Sequence, residues 1–143
     1  MKSPFYSLFF MLPTPIIPEE DYSLVYEPAE DSYLFLDLFE SLKDSKYLIN
    51  KQFSNSSPLV MEIGSGSGII STFIKMYNII PNSFHIASDI NENCNKKTMD
   101  TLIHNSPKSW YEFDTIRSDL VSSIRNNSLD LLLFNPPYVP SED

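Results

Sequence analysis

The chain contains only three glycines, and they fall within five consecutive positions as Gly64, Gly66 and Gly68. Before them runs Leu59-Val60-Met61-Glu62-Ile63, introduced by Pro58; after them comes an apolar stretch from Ile69 to about Tyr77. This order predicts a buried strand, a glycine turn and a helix. Glycine takes positive φ without strain and lets backbone approach a ligand closely, while the following helix start offers unpaired N–H groups beyond the strand end. A turn that binds nothing uses glycine for the same steric reason, so the neighbours must decide between the two.

The rest of the chain repeats the alternation. Residues 1–25 are rich in proline and aromatics without a period and predict an extended arm. Glu30, Asp31 and a capping Ser32 precede Leu34, Phe35, Leu38, Phe39 and Leu42, which share one helical face, so a helix is expected over about 32–43. Residues 44–57 predict a loop with a short helical turn near Tyr47–Phe53. A second strand is expected over Phe84–Asp89, a helix capped by Asn91 through about Asn105, and a third strand from Tyr111 to about Arg117. A short helix over 119–125 and a fourth strand from Leu129 to Phe134 complete the pattern. Strands separated by helices, each nearly continuous in apolar residues, imply an α/β fold with a mostly parallel sheet and helices on both faces. At 143 residues there is material for one domain, residues 26–143, behind the arm.

The glycine spacing separates cofactors. A dinucleotide fingerprint is G-x-G-x-x-G, whose third glycine would fall where Ile69 stands; the pattern here is G-x-G-x-G. Glu62, at the carboxyl end of the first strand, would repel a pyrophosphate but attract the cationic amino-acid end of S-adenosylmethionine. Asp89 ends the next strand, where an acid can accept bonds from two ribose hydroxyls. Asp119, after the third strand, can accept from the exocyclic amine of adenine. Singly, each reads as a solvated carboxylate; together, at successive strand ends, they favour a bound nucleoside.

Asn135-Pro136-Pro137-Tyr138 follows the fourth strand. As a plain proline corner it would only stop the strand. Its chemical reading is more specific, because it fixes the Asn135 amide oxygen, the Pro136 carbonyl and the Tyr138 ring at the glycine-loop end of the sheet. A planar NH2 group is a weak nucleophile; two acceptors on its N–H bonds would raise electron density on nitrogen and aim it at a sulfonium methyl. Tyr138 would pack on the planar target and exclude water.

Tyr26-Glu27-Pro28-Ala29-Glu30-Asp31-Ser32, Glu62-Ile63-Gly64-Ser65-Gly66-Ser67-Gly68, Asp89-Ile90-Asn91 and Phe134-Asn135-Pro136-Pro137-Tyr138-Val139-Pro140 together resemble the HemK-like class I methyltransferases. Within them the match is nearest the eukaryotic, activator-dependent branch that methylates the glutamine of the Gly-Gly-Gln motif in the class-one translation release factor. The resemblance covers about residues 11–143. It implies a Rossmann-like fold and an S-adenosylmethionine site formed by Ser32, Glu62, Gly64, Gly66, Gly68, Asp89, Asp119, Leu120 and Asn135. It also implies that Asn135 holds the substrate amide and that a small zinc-containing activator subunit pairs with the sheet edge. Family members begin near the equivalent of Met11 and continue past the proline corner to a seven-stranded sheet. Residues 1–10 are therefore expected to be an upstream extension or a mis-assigned start, and the C-terminal strands to be missing after Asp143. Adenine amino-group methylation of DNA, and a non-catalytic remnant that binds only cofactor or partner, are the alternatives.

Charge and composition narrow these. Nineteen acidic and ten basic residues leave −9, a surface that repels a phosphate backbone and makes nucleic acid the weaker partner. Cys94 is the one cysteine, so no internal disulfide or thiolate zinc site can form, and His85 and His104 lack ligand spacing; no metal site is expected. Cys94 reads as a small buried side chain, and Trp110, Tyr111 and Phe113 as core, with an activator subunit on the same edge as the alternative. The opening Met1–Leu12 only weakly imitates a secretory signal, no stretch suits a membrane span, and the expected location is the cytoplasm, with the nucleus as a second compartment.

Overall fold

The computed structural model describes residues 12–18, 22–53 and 57–137. Its elements are α1 (Glu30–Asp44), α2 (Lys46–Phe53), β1 (Leu59–Ile63), α3 (Ile69–Met76), β2 (Phe84–Asp89), α4 (Glu92–Asn105), a 3-10 turn (Pro107–Glu112), β3 (Phe113–Arg117) and β4 (Leu131–Phe134). The four strands are all parallel, in the order β3-β2-β1-β4. Parallel strands need crossovers: α3 lies in the one from β1 to β2 and α4 in the one from β2 to β3, while residues 118–130 make the one from β3 to β4 in turns without a helix.

Strand alternation sorts the side chains. Val60 of β1, Ala87 of β2 and Leu133 of β4 point to the face where α1, α3 and α4 pack, meeting Leu36, Phe39, Phe73 and Ile74 on one side and Leu102 on the other. Phe84, Leu132 and Phe134 lie on the opposite face and stay 41 to 47% exposed. Phe113 is buried. Trp110 and Tyr111, expected in the core, are each 63% exposed. The 3-10 turn, started by Pro107, carries them outside the sheet, so β3 begins at Phe113 instead of Tyr111.

Two further departures have local causes. Helix α1 starts at Glu30, before the expected cap: Ala29 is its N-cap without a side-chain bond, and Ser32 lies inside the first turn. Glu30 and Asp31 in that turn and Lys43 in the last complement the helix dipole. The helix is also rotated, burying Leu36 and Phe39 while Leu34 and Leu38 face outward. Residues 119–125 form turns and not a helix, because Leu120 sits at φ +50°, outside the right-handed helical region.

The arm is tied down by polar side chains. Asn105 Nδ2 donates to the Ile16 carbonyl at 2.6 Å while its Oδ1 accepts from the Ile16 N–H at 2.8 Å. Tyr77 Oη donates to the Pro13 carbonyl and Lys97 Nζ to that of Pro18. Nearer the strand ends, Asn91 Nδ2 donates to the Leu24 carbonyl at 3.0 Å. No described helix is long and apolar enough to cross a membrane.

Candidate functional site

Because the strands are parallel, the residues leaving them all emerge at one end of the sheet. Chain connections run outward from β1 to β2 and β3, then return to β4 on the other side of β1. The crevice of such a sheet lies where the order reverses, between β1 and β4. Ile63 is in register with Phe134, so Gly64 and Asn135 leave adjacent strands at the same level.

The glycine loop is fixed from both sides. Gly64, Gly66 and Gly68 have φ of +69°, +54° and +79°. The Gly64 and Ser65 N–H groups donate to the Ser88 carbonyl at 2.8 and 3.0 Å, and the Gly66 N–H donates to Asp89 Oδ2 at 3.1 Å. Thr98 Oγ1 donates to Ser65 Oγ and the Gly66 carbonyl, bracing the loop against α4. At Gly68 a Cβ would lie 2.6 Å from Thr98 Cα, so helix packing forbids a side chain. At Gly64 and Gly66 a Cβ would meet nothing within 4 Å, leaving open space above the loop for a ligand.

Asp89, half-buried at the end of β2, accepts the Gly66 N–H on Oδ2 and the Asn91 N–H at 2.9 Å on Oδ1. Each oxygen keeps accepting capacity for hydroxyl donors. Glu62 is placed beneath the loop. It is 3% exposed, and its Oε2 accepts both the Ser71 N–H at 3.1 Å and the Ser71 hydroxyl. Burial pushes its carboxyl up to about 7, only partly offset by the Ser71 bonds, and the nearby Asp89 charge adds to the rise. Cys94 is buried too, and its thiol is pushed up to about 12 by burial and the adjacent Asp89.

Asp119 and Leu120 lie exposed in the turn after β3, which Ser118 anchors by donating its N–H to the Asp89 carbonyl at 3.3 Å. Asn135 is half-buried and Pro136 exposed. Asn135 Nδ2 donates to Asp31 Oδ2 of α1 at 2.7 Å, which brings α1, with half-buried Ser32, to the rim beside β4. Tyr138 lies outside the described residues. Three contributors were not singled out from the sequence: Asp31, Ser71 and Thr98. Asp31 and Thr98 act through contacts 104 and 33 residues away along the chain, Ser71 through one 9 residues away across the glycine turn, and only the Glu30-Asp31 pair at a helix start hinted at any of them. No cluster of three or more potential metal ligands occurs among the described residues.

An all-parallel sheet in this order, with a G-x-G-x-G turn and an acid ending the next strand, defines a Rossmann-like class I methyltransferase fold. No protein-family model matches the chain. It is 36% identical over 143 aligned residues, 92% of its length, to "eRF1 methyltransferase catalytic subunit mtq2" of Schizosaccharomyces pombe. It is 33% identical over 82% of its length to "Methyltransferase HEMK2" of Homo sapiens. Over 83% of its length it is 34% identical to a Methanocaldococcus jannaschii protein provisionally named a protein N5-glutamine methyltransferase. Along most of its length, then, the chain is homologous to the HemK-like methyltransferases. It spans 59% of the first relative and 50% of the other two.

Proposed function

We propose that this chain carries the cofactor seat and acceptor clamp of an S-adenosylmethionine-dependent methyltransferase. Its substrate would be the side-chain amide nitrogen of the glutamine in the Gly-Gly-Gln motif of the class-one translation release factor. The observation that carries the reading is the register of β1 with β4, which sets the glycine turn beside the Asn-Pro-Pro corner. The names of the relatives, an eRF1 methyltransferase and a protein N5-glutamine methyltransferase, support the substrate class.

The open loop at Gly64 and Gly66 and the accepting oxygens of Asp89 fit an adenosyl group with its two ribose hydroxyls. Asp119 and Leu120 would border the adenine, and Ser32 the amino-acid end. Glu62, held down by Ser71, would favour the cationic end once ionised, and a cation bound there would in turn offset the burial that raises its pKa. When bound, S-adenosylmethionine supplies a methyl group on a sulfonium, an electrophile that needs no activating side chain. The protein's task is to orient the nucleophile. Asn135 Oδ1 and the Pro136 carbonyl accept the two amide N–H bonds, which turns the nitrogen lone pair toward the cofactor and enriches it. Tyr138 would cover the amide plane.

A small zinc-containing activator is the proposed partner. Among the described residues β3 has a strand neighbour on one side only, and Trp110 and Tyr111 stand exposed beside it. An open edge with adjoining aromatics suits strand addition by a partner. The cytoplasm, with the nucleus, is the proposed location.

Labelled methyl transfer to purified release factor, in parallel with duplex DNA and with and without the activator, tests the proposal. Label on the release factor, abolished when its Gly-Gly-Gln glutamine is replaced, is expected. Transfer to DNA alone would overturn it in favour of adenine chemistry, which the −9 charge disfavours. Cofactor binding without transfer to either, activator present, would overturn it in favour of a binding remnant.

A further inference from the structure

We infer that Asp31 is a positioning residue that fixes which end of the Asn135 amide faces the crevice. This rests on the proposed role of Asn135 as the substrate clamp. An asparagine amide is nearly symmetric in shape but not in chemistry, and only its oxygen can accept a substrate N–H. If it rotated by half a turn, it would present a donor to a donor and release the target nitrogen. Something must therefore choose the orientation.

The corner itself does not, since Asn135 is half-buried and the two prolines that follow bring no N–H groups. Asp31 does. A carboxylate oxygen accepts, so the group 2.7 Å from Oδ2 is the donor end of the amide, Asn135 Nδ2. With the amino end so held, Oδ1 is the end left to accept a substrate N–H. The bond joins residues 104 apart in sequence, linking the first turn of α1 to the end of β4. Asp31 is itself placed by that turn, which the N-terminal helix dipole favours for an anion. Glu30 shares the turn but is exposed and one position round the helix, and no such bond is made by it among the described residues.

The side-chain amide spectrum of Asn135, assigned by its disappearance in Asn135→Ala, tests the orientation without any reaction. One amide proton shifted downfield and protected from solvent exchange is expected, with both features lost in Asp31→Ala. In methyl transfer to the release factor, Asp31→Ala should lower kcat about 10-fold, as removal of an orienting partner does, with S-adenosylmethionine affinity unchanged. Asp31→Asn, which can still accept, should retain more activity than Asp31→Ala. Amide resonances insensitive to Asp31, or full kcat in Asp31→Ala where Asn135→Ala is inactive, would overturn the inference. If the unsubstituted chain transfers no methyl group at all, the proposed function fails, and the amide spectrum still decides the orientation.

Discussion

Asn135 and Gly68 show two ways in which a single position limits this molecule. At Asn135 the limit is chemical: Asn135→Ala removes one of two acceptors on the target N–H bonds and should lower methyl transfer roughly 100-fold, the scale seen when one oriented polar group is lost. Far-ultraviolet circular dichroism should stay unchanged, because no buried apolar contact depends on that amide. At Gly68 the limit is steric. Gly68→Ala adds a methyl 2.6 Å from Thr98 Cα at φ +79°, so α3 and α4 must separate and backbone strain is added. A loss of about 2 kcal/mol or more in urea unfolding is expected. Asp89→Ala would remove the acceptor of the Gly66 N–H as well as the proposed ribose acceptor. It should weaken S-adenosylmethionine binding in calorimetry; an unaltered dissociation constant would contradict that assignment.

Among the elements, the arm depends on α4. Asn105 satisfies both backbone groups of Ile16, and Ile17 beside it is buried in the core. Asn105→Ala leaves both groups without a protein partner, so residues 12–18 should become more susceptible to proteolysis while α4 keeps its hydrogen-exchange protection. The sequence foretold elements of strong pattern. β1 and β2 are apolar runs closed by glycine or Asp89, and α4 has its Asn91 cap, whose side chain accepts from the Asn93 N–H. It failed where tertiary contact or one backbone angle overrode pattern. Leu120 at positive φ prevents the expected helix over 119–125, and α2 forms a full Lys46–Phe53 helix from residues read mainly as a loop. The site was legible as a set of strand ends, since parallel pairing forces those ends together. The bond from Asp31 to Asn135 was not, because no periodicity carries information across 104 residues.

For the whole molecule, two buried groups set opposing pH dependences. His85 is fully buried with neither ring nitrogen hydrogen-bonded among the described residues, and burial, aided by the Lys75 charge, pushes it from 6.5 down to about 3. Glu62 is raised from 4.5 to about 7. Between pH 4.5 and 6.5 the folded chain holds a proton on Glu62 and the unfolded chain holds one on His85, so these two contributions to the slope cancel. Below pH 4.5 only the unfolded chain gains from His85, and stability falls toward pH 3. Above the range in which the unfolded His85 titrates, only the folded chain still holds the Glu62 proton, and this contribution declines as pH rises. Urea titrations across this range check the cancellation. In His85→Leu the cancellation should be lost, with stability increasing as pH drops from 7 to 4.5.

The pairing of Val60–Ile63 with Leu131–Phe134 has one more consequence. Neighbouring strands sit about 4.8 Å apart, so the backbone ladder acts as a ruler between the seats for donor and acceptor. Swapping side chains can retune grip or selectivity, but the gap that a travelling carbon must span is gauged by peptide geometry, which point mutation cannot easily rewrite.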